Sequence, residues 1–301
     1  MPSGLPRKVA VTAVLAAALL LARPVSAADT EEIARGAYLA NAADCVGCHT
    51  DSAHGGRPYA GGRAIATPFG TVYSPNITPD PETGIGRWSE AQFIHALRDG
   101  VRADGANLYP VFPYTSFTKI ADADARAIWA YFSSLPPVRH DNHRQDLSFP
   151  FSWRPLLTLW KWLFFDPGRL RPDPQRSAAY NRGAYFVNAL AYCGECHTPR
   201  NALGAMEPSR FLAGTENGPD GKPVPNITPD PESGIGNWTD DDILELLKNG
   251  RTPDLESVGG AMAEVVKSTA QLDDTDRRAI AAYLESLPAI RSQTVRVQKK
   301  E

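Results

Sequence analysis

Two short segments contain all four cysteines of the chain, and in each a histidine directly follows the second cysteine. The segments are Cys45-Val46-Gly47-Cys48-His49 and Cys193-Gly194-Glu195-Cys196-His197. Two thiols at this spacing can add across the two vinyl groups of one porphyrin, while the adjacent histidine reaches the iron. A single copy could instead be a thioredoxin-like redox pair or part of a zinc site. Because the two copies use every cysteine, the sequence predicts two covalently bound haem c groups. The predicted attachment and iron-binding residues are Cys45, Cys48, His49, Cys193, Cys196 and His197.

The two motifs belong to a tandem repeat. Asn76-Ile77-Thr78-Pro79-Asp80-Pro81 recurs 150 residues later as Asn226-Ile227-Thr228-Pro229-Asp230-Pro231, and the Gly-Ile-Gly and Trp that follow recur as well. Predicted helices at 89–99 and 122–135 match those at 239–249 and 274–287. A helix also leads into each haem motif and contains Arg-Gly-Ala-Tyr, whose glycine indicates close contact between helices rather than a functional group. The repeat predicts one haem in each half.

A second axial ligand is predicted for one haem only. Apart from the first residue, the methionines are Met206 and Met262. Met262 lies before the last helix, where a loop must pass the distal face of the haem, and Met/His is the usual ligand pair of an electron-transfer haem. We therefore expect Met262 to bind the second iron. The residue 150 positions earlier is Phe112, which cannot bind iron.

The sixth position of the first haem is thus open, or another residue fills it. Spacing alone does not decide between these alternatives. The candidate side chains are His54, His95, His140, His143, Tyr109, Tyr114 and Met206.

The organisation that follows is an all-α protein of two tandem haem domains. The expected boundaries are 28–137 for the first domain, 138–176 for a linker, 177–290 for the second domain and 291–301 for a polar tail. The linker is rich in proline and contains Trp153, Trp160 and Trp162, three of the six tryptophans. A flexible linker does not need so many aromatic residues. Its segment 149–165 either packs across the two domains or forms a docking surface for a partner protein.

Residues 1–27 have the layout of a secretory signal peptide. Arg7 and Lys8 precede an apolar run of about 14 residues, shorter than the roughly 20 of a membrane-spanning helix, and a small-residue cleavage site ends at Ala27. The alternative is an uncleaved anchor. Removal of this segment changes the formal charge from −3 to −6. An acidic protein does not favour nucleic-acid binding. We expect a periplasmic protein whose membrane association is at most peripheral.

Four segments carry a family resemblance: Tyr73–Asp80, Thr83–Gly86 with Trp88, Leu108–Pro110 and Cys196–Asn201. They resemble motifs of the cytochrome c subunits of periplasmic dehydrogenases, such as the alcohol dehydrogenase cytochrome subunit, and of diheme cytochromes that accompany molybdenum hydroxylases. The resemblance covers almost the whole chain after the signal peptide and implies a class I cytochrome c fold in each half. In that family a methionine ligand follows Leu-Tyr-Pro, where this chain has Phe112. Members often have a third haem and a C-terminal membrane helix, which this sequence lacks.

The predicted function is electron transfer, from a dehydrogenase or another reductant to a downstream cytochrome or oxidase, without catalytic activity of its own. In such a protein the chain contributes placement, burial and tuning of the haem potential. The alternative is a haem enzyme, related to diheme peroxidases or thiosulfate-oxidising cytochromes, that uses an open first haem. The alternative depends on Phe112, because phenylalanine in place of methionine can leave the sixth position of the first iron open.

Overall fold

The computed structural model describes residues 27–218 and 221–293. The predicted signal peptide, except its last residue, and the tail from residue 294 lie outside these ranges. The helices of the first half are α1 (Ala27–Ala42), α2 (Cys45–Cys48), α3 (Glu90–Asp99), α4 (Tyr114–Phe117) and α5 (Asp122–Ser134). After α6 (Leu156–Phe164), the second half has α7 (Ala178–Tyr185), α8 (Gly194–His197), α9 (Asp240–Asn249), α10 (Gly260–Thr269) and α11 (Asp274–Glu285).

Each half is built around one close crossing of two helices, at the glycine of its Arg-Gly-Ala-Tyr motif. A Cβ on Gly36 of α1 would lie 1.9 Å from the carbonyl oxygen of Ala127 in α5. A Cβ on Gly183 of α7 would lie 1.8 Å from the carbonyl oxygen of Ala279 in α11. Only glycine permits this approach of two backbones. The close helix contact predicted from the motif is confirmed in both halves.

The helices α3 and α9, which follow Trp88 and Trp238, begin and end where the sequence predicts. The Ser89 side chain accepts a hydrogen bond from the amide of Gln92, whose side chain binds back to the Ser89 amide. Thr239 and Asp242 form the same reciprocal cap at the start of α9. Such a capping box satisfies amides that otherwise lack a partner in the first helical turn. Both helices end at a left-handed glycine, the usual C-terminal stop.

The expectation of an all-α fold is wrong in part, because the structure contains a small antiparallel sheet. Strands β1 (Ala64–Thr67) and β2 (Gly70–Tyr73) form a hairpin, and β3 (Asp146–Leu147) pairs with β2. The third strand comes from the segment expected to be a linker. Two residues are too short a strand to be recognised from alternation of apolar and polar side chains. The Gln145 side chain extends the pairing by accepting from the Tyr73 amide at 2.7 Å.

The helix α6 lies in the segment expected to be a linker, and it packs across both halves. The Lys161 ammonium donates to the carbonyl oxygens of Asp99 and Gly100 at 2.6 and 2.9 Å, in the first half. The Trp160 indole donates to the carbonyl of Leu203 at 2.9 Å, in the second half. Other aromatic side chains of the segment remain exposed, among them Trp162 at 80%. One face of α6 therefore joins the halves while the opposite face is apolar and solvent-accessible.

Two carboxylates bind the halves to each other in a reciprocal pattern. Asp276 of the second half accepts two hydrogen bonds of 2.8 Å from Arg182 in its own half. The Tyr38 hydroxyl of the first half donates to the same carboxylate at 2.5 Å. Burial alone would raise the pKa of Asp276, but the bonds from Arg182 and Tyr38 outweigh it and hold the pKa below its ordinary value.

The first half repeats this arrangement with the roles exchanged. Asp124 is bound by Arg35 of its own half, with the Nε–oxygen bond at 2.9 Å, and by the Tyr185 hydroxyl of the second half at 2.6 Å. The arginine and tyrosine of each Arg-Gly-Ala-Tyr motif thus hold different carboxylates, one in each half. The tandem repeat therefore forms a pseudo-twofold interface, a role that the sequence motif alone did not indicate.

Candidate haem sites

The four cysteines are free of disulfide bonds, and each is half-buried. Burial is the main cause that raises the pKa of the Cys193 thiol to about 12 and that of Cys196 to about 11. Burial also raises the pKa of Cys45 and Cys48 above the ordinary value. A redox-active Cys-X-X-Cys pair has a lowered thiol pKa instead. Thiols whose pKa is raised in this way fit covalent attachment to a cofactor better than thiol–disulfide exchange.

The histidine of each motif is buried and held in one tautomer by a backbone carbonyl. His49 Nδ1 lies 2.8 Å from the carbonyl oxygen of Pro75, and His197 Nδ1 lies 2.8 Å from that of Pro225. Because a carbonyl oxygen only accepts, Nδ1 must carry the proton, which leaves the lone pair of Nε2 for a metal. Burial lowers the pKa of both imidazoles, so they stay neutral, as an iron ligand must be. The residues present fit a haem iron.

The repeated Asn-Ile-Thr-Pro-Asp-Pro motif fixes the position of those carbonyls. In the first half, the Asn76 side chain accepts from the amide and hydroxyl of Thr78 and donates to the carbonyl of Val138 at 2.7 Å. Asn226 makes the corresponding bonds to Thr228 and to the carbonyl of Ile290. Each asparagine directly follows the proline that accepts from the histidine. Sequence reasoning recognised the motif as a repeat and missed this role, although its place beside a proline was visible.

The segments expected over the distal faces differ in length as well as in residue type. Equivalent anchors precede them: the amide of Leu108 donates to Gly100 at 2.7 Å and that of Val258 to Gly250 at 2.9 Å. Equivalent serines follow, and each donates to the attachment segment of the opposite half. Seven residues separate Leu108 from Ser116, whereas nine separate Val258 from Ser268. The extra residues lengthen α10, whose third residue is the half-buried Met262.

Phe112 occupies the shorter segment and packs against Phe117, with ring centroids 5.6 Å apart. The 150-residue offset pairs Phe112 with Met262. From Ser116 and Ser268 onward the offset between the halves is 152. This second offset pairs Met262 with Pro110 instead. Neither has a side chain that binds iron. The asymmetry between the two halves therefore does not depend on how this segment is aligned.

Most of the alternative ligand candidates are engaged elsewhere. The exposed His54 pairs with Asp51 at 2.9 Å, and His95 pairs with Asp99 at 2.8 Å on the outer face of α3. His143 lies against the Tyr73 ring, and His140 and His143 have ring centroids 6.3 Å apart in an exposed segment. The orientation of His95 towards solvent agrees with the helical spacing of the sequence.

Of the remaining candidates, Tyr109 and Tyr114 lie beside the segment 149–165, and Met206 lies in the second half. Tyr109 is covered by the Arg154 guanidinium, 4.6 Å from its ring centroid. Tyr114 is fully buried against Gly100 and α6, and its hydroxyl has no hydrogen-bond partner. Met206 forms a backbone bridge with Arg200. None of these contacts identifies a sixth ligand for the first haem.

Each attachment segment is hydrogen-bonded to the opposite half. Glu195, inside the second Cys-X-X-Cys, accepts from the hydroxyls of Thr115 and Ser116 at 2.6 and 2.8 Å. Asp44, directly before Cys45, accepts from the Ser268 hydroxyl at 2.7 Å. Each attachment segment is therefore hydrogen-bonded to the helix in which the distal segment of the other half ends. This arrangement suits transfer of electrons between the two sites.

Comparison with known families assigns both halves to c-type cytochromes. Residues 33–136 match the Cytochrome c family model, and residues 178–284 match that of Cytochrome C oxidase, cbb3-type, subunit III. The chain is 43% identical over 290 residues to a diheme cytochrome c-type protein of Cereibacter sphaeroides, and the match covers 91% of this chain and 94% of that protein. The chain belongs to the diheme c-type cytochromes and holds two covalently bound haem c groups.

Two further relatives belong to dehydrogenases. The chain is 43% identical to the fructose dehydrogenase cytochrome subunit of Gluconobacter japonicus, over 94% of this chain and 60% of that protein. It is 48% identical to one of the subunits of the nicotinate dehydrogenase of Pseudomonas putida, over 84% of this chain and 21% of that protein. The chain thus spans little more than half of the first and about a fifth of the second. The resemblance to dehydrogenase cytochrome subunits noted in the sequence is confirmed.

Proposed function

We propose that this protein is exported to the periplasm, accepts electrons from a dehydrogenase and passes them to a downstream cytochrome or oxidase. Two of the relatives carry the names of dehydrogenase subunits, which supports the identity of the donor class. The signal-peptide layout of residues 1–27 supports export. Among the described residues, no helix has the length and apolarity to cross a membrane. Any membrane association is at most peripheral.

In this proposal each half attaches one haem through its Cys-X-X-Cys-His motif. Haem supplies a one-electron Fe(III)/Fe(II) couple when bound. His49 and His197 offer Nε2 to the irons, since Nδ1 is committed to the carbonyls of Pro75 and Pro225. Met262 would supply a second protein ligand to the second iron. The attaching thiols are Cys45, Cys48, Cys193 and Cys196.

The observation that carries the proposal is the repetition of one buried histidine–carbonyl pair in two halves, each of whose attachment segments is hydrogen-bonded to the other half. A hydrogen bond from Nδ1 fixes the ring and raises the basicity of the ligating nitrogen, as in other metal sites with a second ligand shell. The segments are then braced through Glu195 and Asp44. Ligands that are fixed in place are what a carrier of single electrons requires.

The test is anaerobic stopped-flow reduction of the holoprotein by the catalytic parts of fructose dehydrogenase and nicotinate dehydrogenase, each supplied with its own substrate. We expect reduction of both haems by at least one donor, and only when substrate is present. The matched control is Cys193→Ala/Cys196→Ala, which retains one haem and should accept half as many electrons per chain. Failure of both donors to reduce a protein that dithionite reduces fully would contradict the proposed donor class.

A further inference from the structure

A carboxylate lies against each Cys-X-X-Cys motif, although the two come from positions that do not correspond in the repeat. In the second motif it belongs to Glu195, the third residue of the motif, whereas the first motif has Gly47 at that position. A Cβ on Gly47 would lie 2.5 Å from both carboxylate oxygens of Asp44, the residue directly before the motif. The Asp44 carboxylate therefore occupies the place where a side chain at position 47 would begin.

An arginine binds the same backbone carbonyl in each motif, again from positions that do not correspond. The Arg63 guanidinium donates to the carbonyl of Gly47 at 2.5 Å, and that of Arg200 donates to the carbonyl of Glu195 at 3.0 Å. Arg200 also pairs with the Glu195 carboxylate. Arg63 follows the histidine of its motif by 14 residues and Arg200 follows its own by three. The repeat alone does not account for this shared contact.

The group that donates to each carboxylate from the opposite half is, in contrast, a repeated residue. Ser268 of the second half donates to Asp44 at 2.7 Å, and Ser116 of the first half donates to Glu195 at 2.8 Å. Thr115 adds a second bond to Glu195 at 2.6 Å. Each motif thus has a carboxylate, an arginine and a serine of the opposite half beside it. Because only the serines correspond in the repeat, the recurrence of all three groups indicates that each motif requires them.

The charges of these carboxylates are placed to act on the cofactors. Asp44 is half-buried, and the side chain of Glu195 is 8% exposed. A negative charge stabilises Fe(III) relative to Fe(II), because the oxidised iron carries one more positive charge, and the effect grows where water is excluded. After burial, the charge of Asp44 is the next cause that raises the pKa of Cys45 and Cys48. The charge of Glu195 acts in the same way on Cys196.

We propose that Asp44 and Glu195 lower the reduction potentials of the two haems, each for the haem attached at its own motif and each held in place by a serine of the opposite half. Reduction adds one electron to the iron and no proton, and both carboxylates stay ionised. The potential of each haem therefore depends on contact with the other half. The inference rests on the proposed haem attachment at the two motifs and does not depend on which dehydrogenase is the donor.

The experiment is a redox titration of the isolated, full-length holoprotein, followed by optical absorption and electron paramagnetic resonance. Asp44→Asn removes the charge, while the amide oxygen can still accept from Ser268. Asparagine also tolerates the left-handed backbone of this position, where φ is 43°. Glu195→Gln is the corresponding change in the second motif. The matched controls are Glu82→Gln and Glu232→Gln, which remove one charge from exposed ion pairs at equivalent positions of the two halves.

We expect each motif variant to raise one of the two midpoint potentials, and the two variants to raise different ones. The expected change in the equilibrium constant for reduction is about tenfold, which for one electron is about 59 mV. The controls should leave both potentials nearly unchanged. Shifts no larger than those of the controls, or a shift of the same haem by both motif variants, would overturn the inference. An unmodified chain with fewer than two haems would instead contradict the attachment that the proposed function assumes.

Two serine variants test the contribution of the opposite half and separate tuning of the haems from simple bracing. Ser268→Ala removes the donor to Asp44 and should shift the same potential as Asp44→Asn. Ser116→Ala should shift the other potential less, because Thr115 still donates to Glu195. A lower Tm with both potentials unchanged would show that these contacts only brace the halves, which overturns the inference. Ser268→Ala changes no residue of either motif, so it provides the test should Asp44→Asn not bind both haems.

Discussion

Replacement of Asp276 by asparagine should measurably destabilise the protein. The native carboxylate is 6% exposed and accepts two bonds from Arg182 and one from Tyr38. Hydrogen bonds to a charged group contribute about 1.5–3 kcal/mol, and removing one partner of a buried ion pair costs roughly 3–5 kcal/mol. The Arg182 side chain is 38% exposed, so water compensates part of the loss. We expect the free energy of unfolding to fall by about 2–3 kcal/mol.

For a chain of this size, such a loss lowers the Tm by roughly 3–6 °C. The assay is thermal unfolding of the holoprotein followed by circular dichroism, with refolding checked after each scan. The matched control is Glu232→Gln, which removes the same charge from an exposed pair with Arg291 and should change the free energy by less than about 1 kcal/mol. Equal Tm values for the two variants would refute the reasoning, because buried and exposed pairs would then contribute alike.

The stabilisation by Asp276 should depend on pH, and its direction follows from the lowered pKa of this carboxyl group. The pKa of Asp276 is lowered in the folded protein, so its contribution to stability is present above the unfolded pKa of about 3.9 and is lost as the pH falls through the folded value. The difference in Tm between the unmodified protein and Asp276→Asn should therefore narrow as the pH falls below about 4. A difference that widens in acid would contradict the assigned direction of the pKa.

Two further changes test the second haem and the helix crossings. Met262→Leu should convert the second ferric haem from low-spin to high-spin and lower its midpoint potential, whereas Met206→Leu should do neither; electron paramagnetic resonance and a redox titration measure both effects. Gly183→Ala would force a methyl group against the Ala279 carbonyl and should lower the free energy of unfolding by about 3 kcal/mol. Gly168→Ala, with no atom within 4 Å of the new Cβ, should change it by less than about 0.5 kcal/mol in the same denaturant titration.

The sequence allowed the chemistry and the repeat to be predicted because both are local. Cys-X-X-Cys-His needs only five adjacent residues, and the glycines of the Arg-Gly-Ala-Tyr motifs mark helix contacts by the absence of a side chain. The helices α3 and α9 could be bounded from a cap at one end and Gly100 or Gly250 at the other. These features depend on neighbours in the chain, so spacing is sufficient evidence for them.

The features that escaped prediction depend on residues far apart in the chain. The strand β3 forms because Asp146 and Leu147 meet a hairpin more than 70 residues earlier. The hydrogen bonds of Tyr38 to Asp276 and of Tyr185 to Asp124 join different halves. No periodicity of the sequence predicts them. The distal segment of the first half is shorter than that of the second half, and only the equivalent hydrogen bonds at its two ends reveal the difference. Long-range pairing of this kind has to be observed in the folded chain.

The measurement that tests the central claim most directly is the oxidation of the fully reduced holoprotein, mixed in parallel with an oxidised soluble c-type cytochrome and with hydrogen peroxide. An electron carrier should lose two electrons per chain to the cytochrome, in rapid one-electron steps, and react slowly or not at all with peroxide. Slow transfer to the cytochrome together with rapid, repeated turnover of peroxide would contradict the account. It would instead identify the first haem, opposite Phe112, as an enzymatic site.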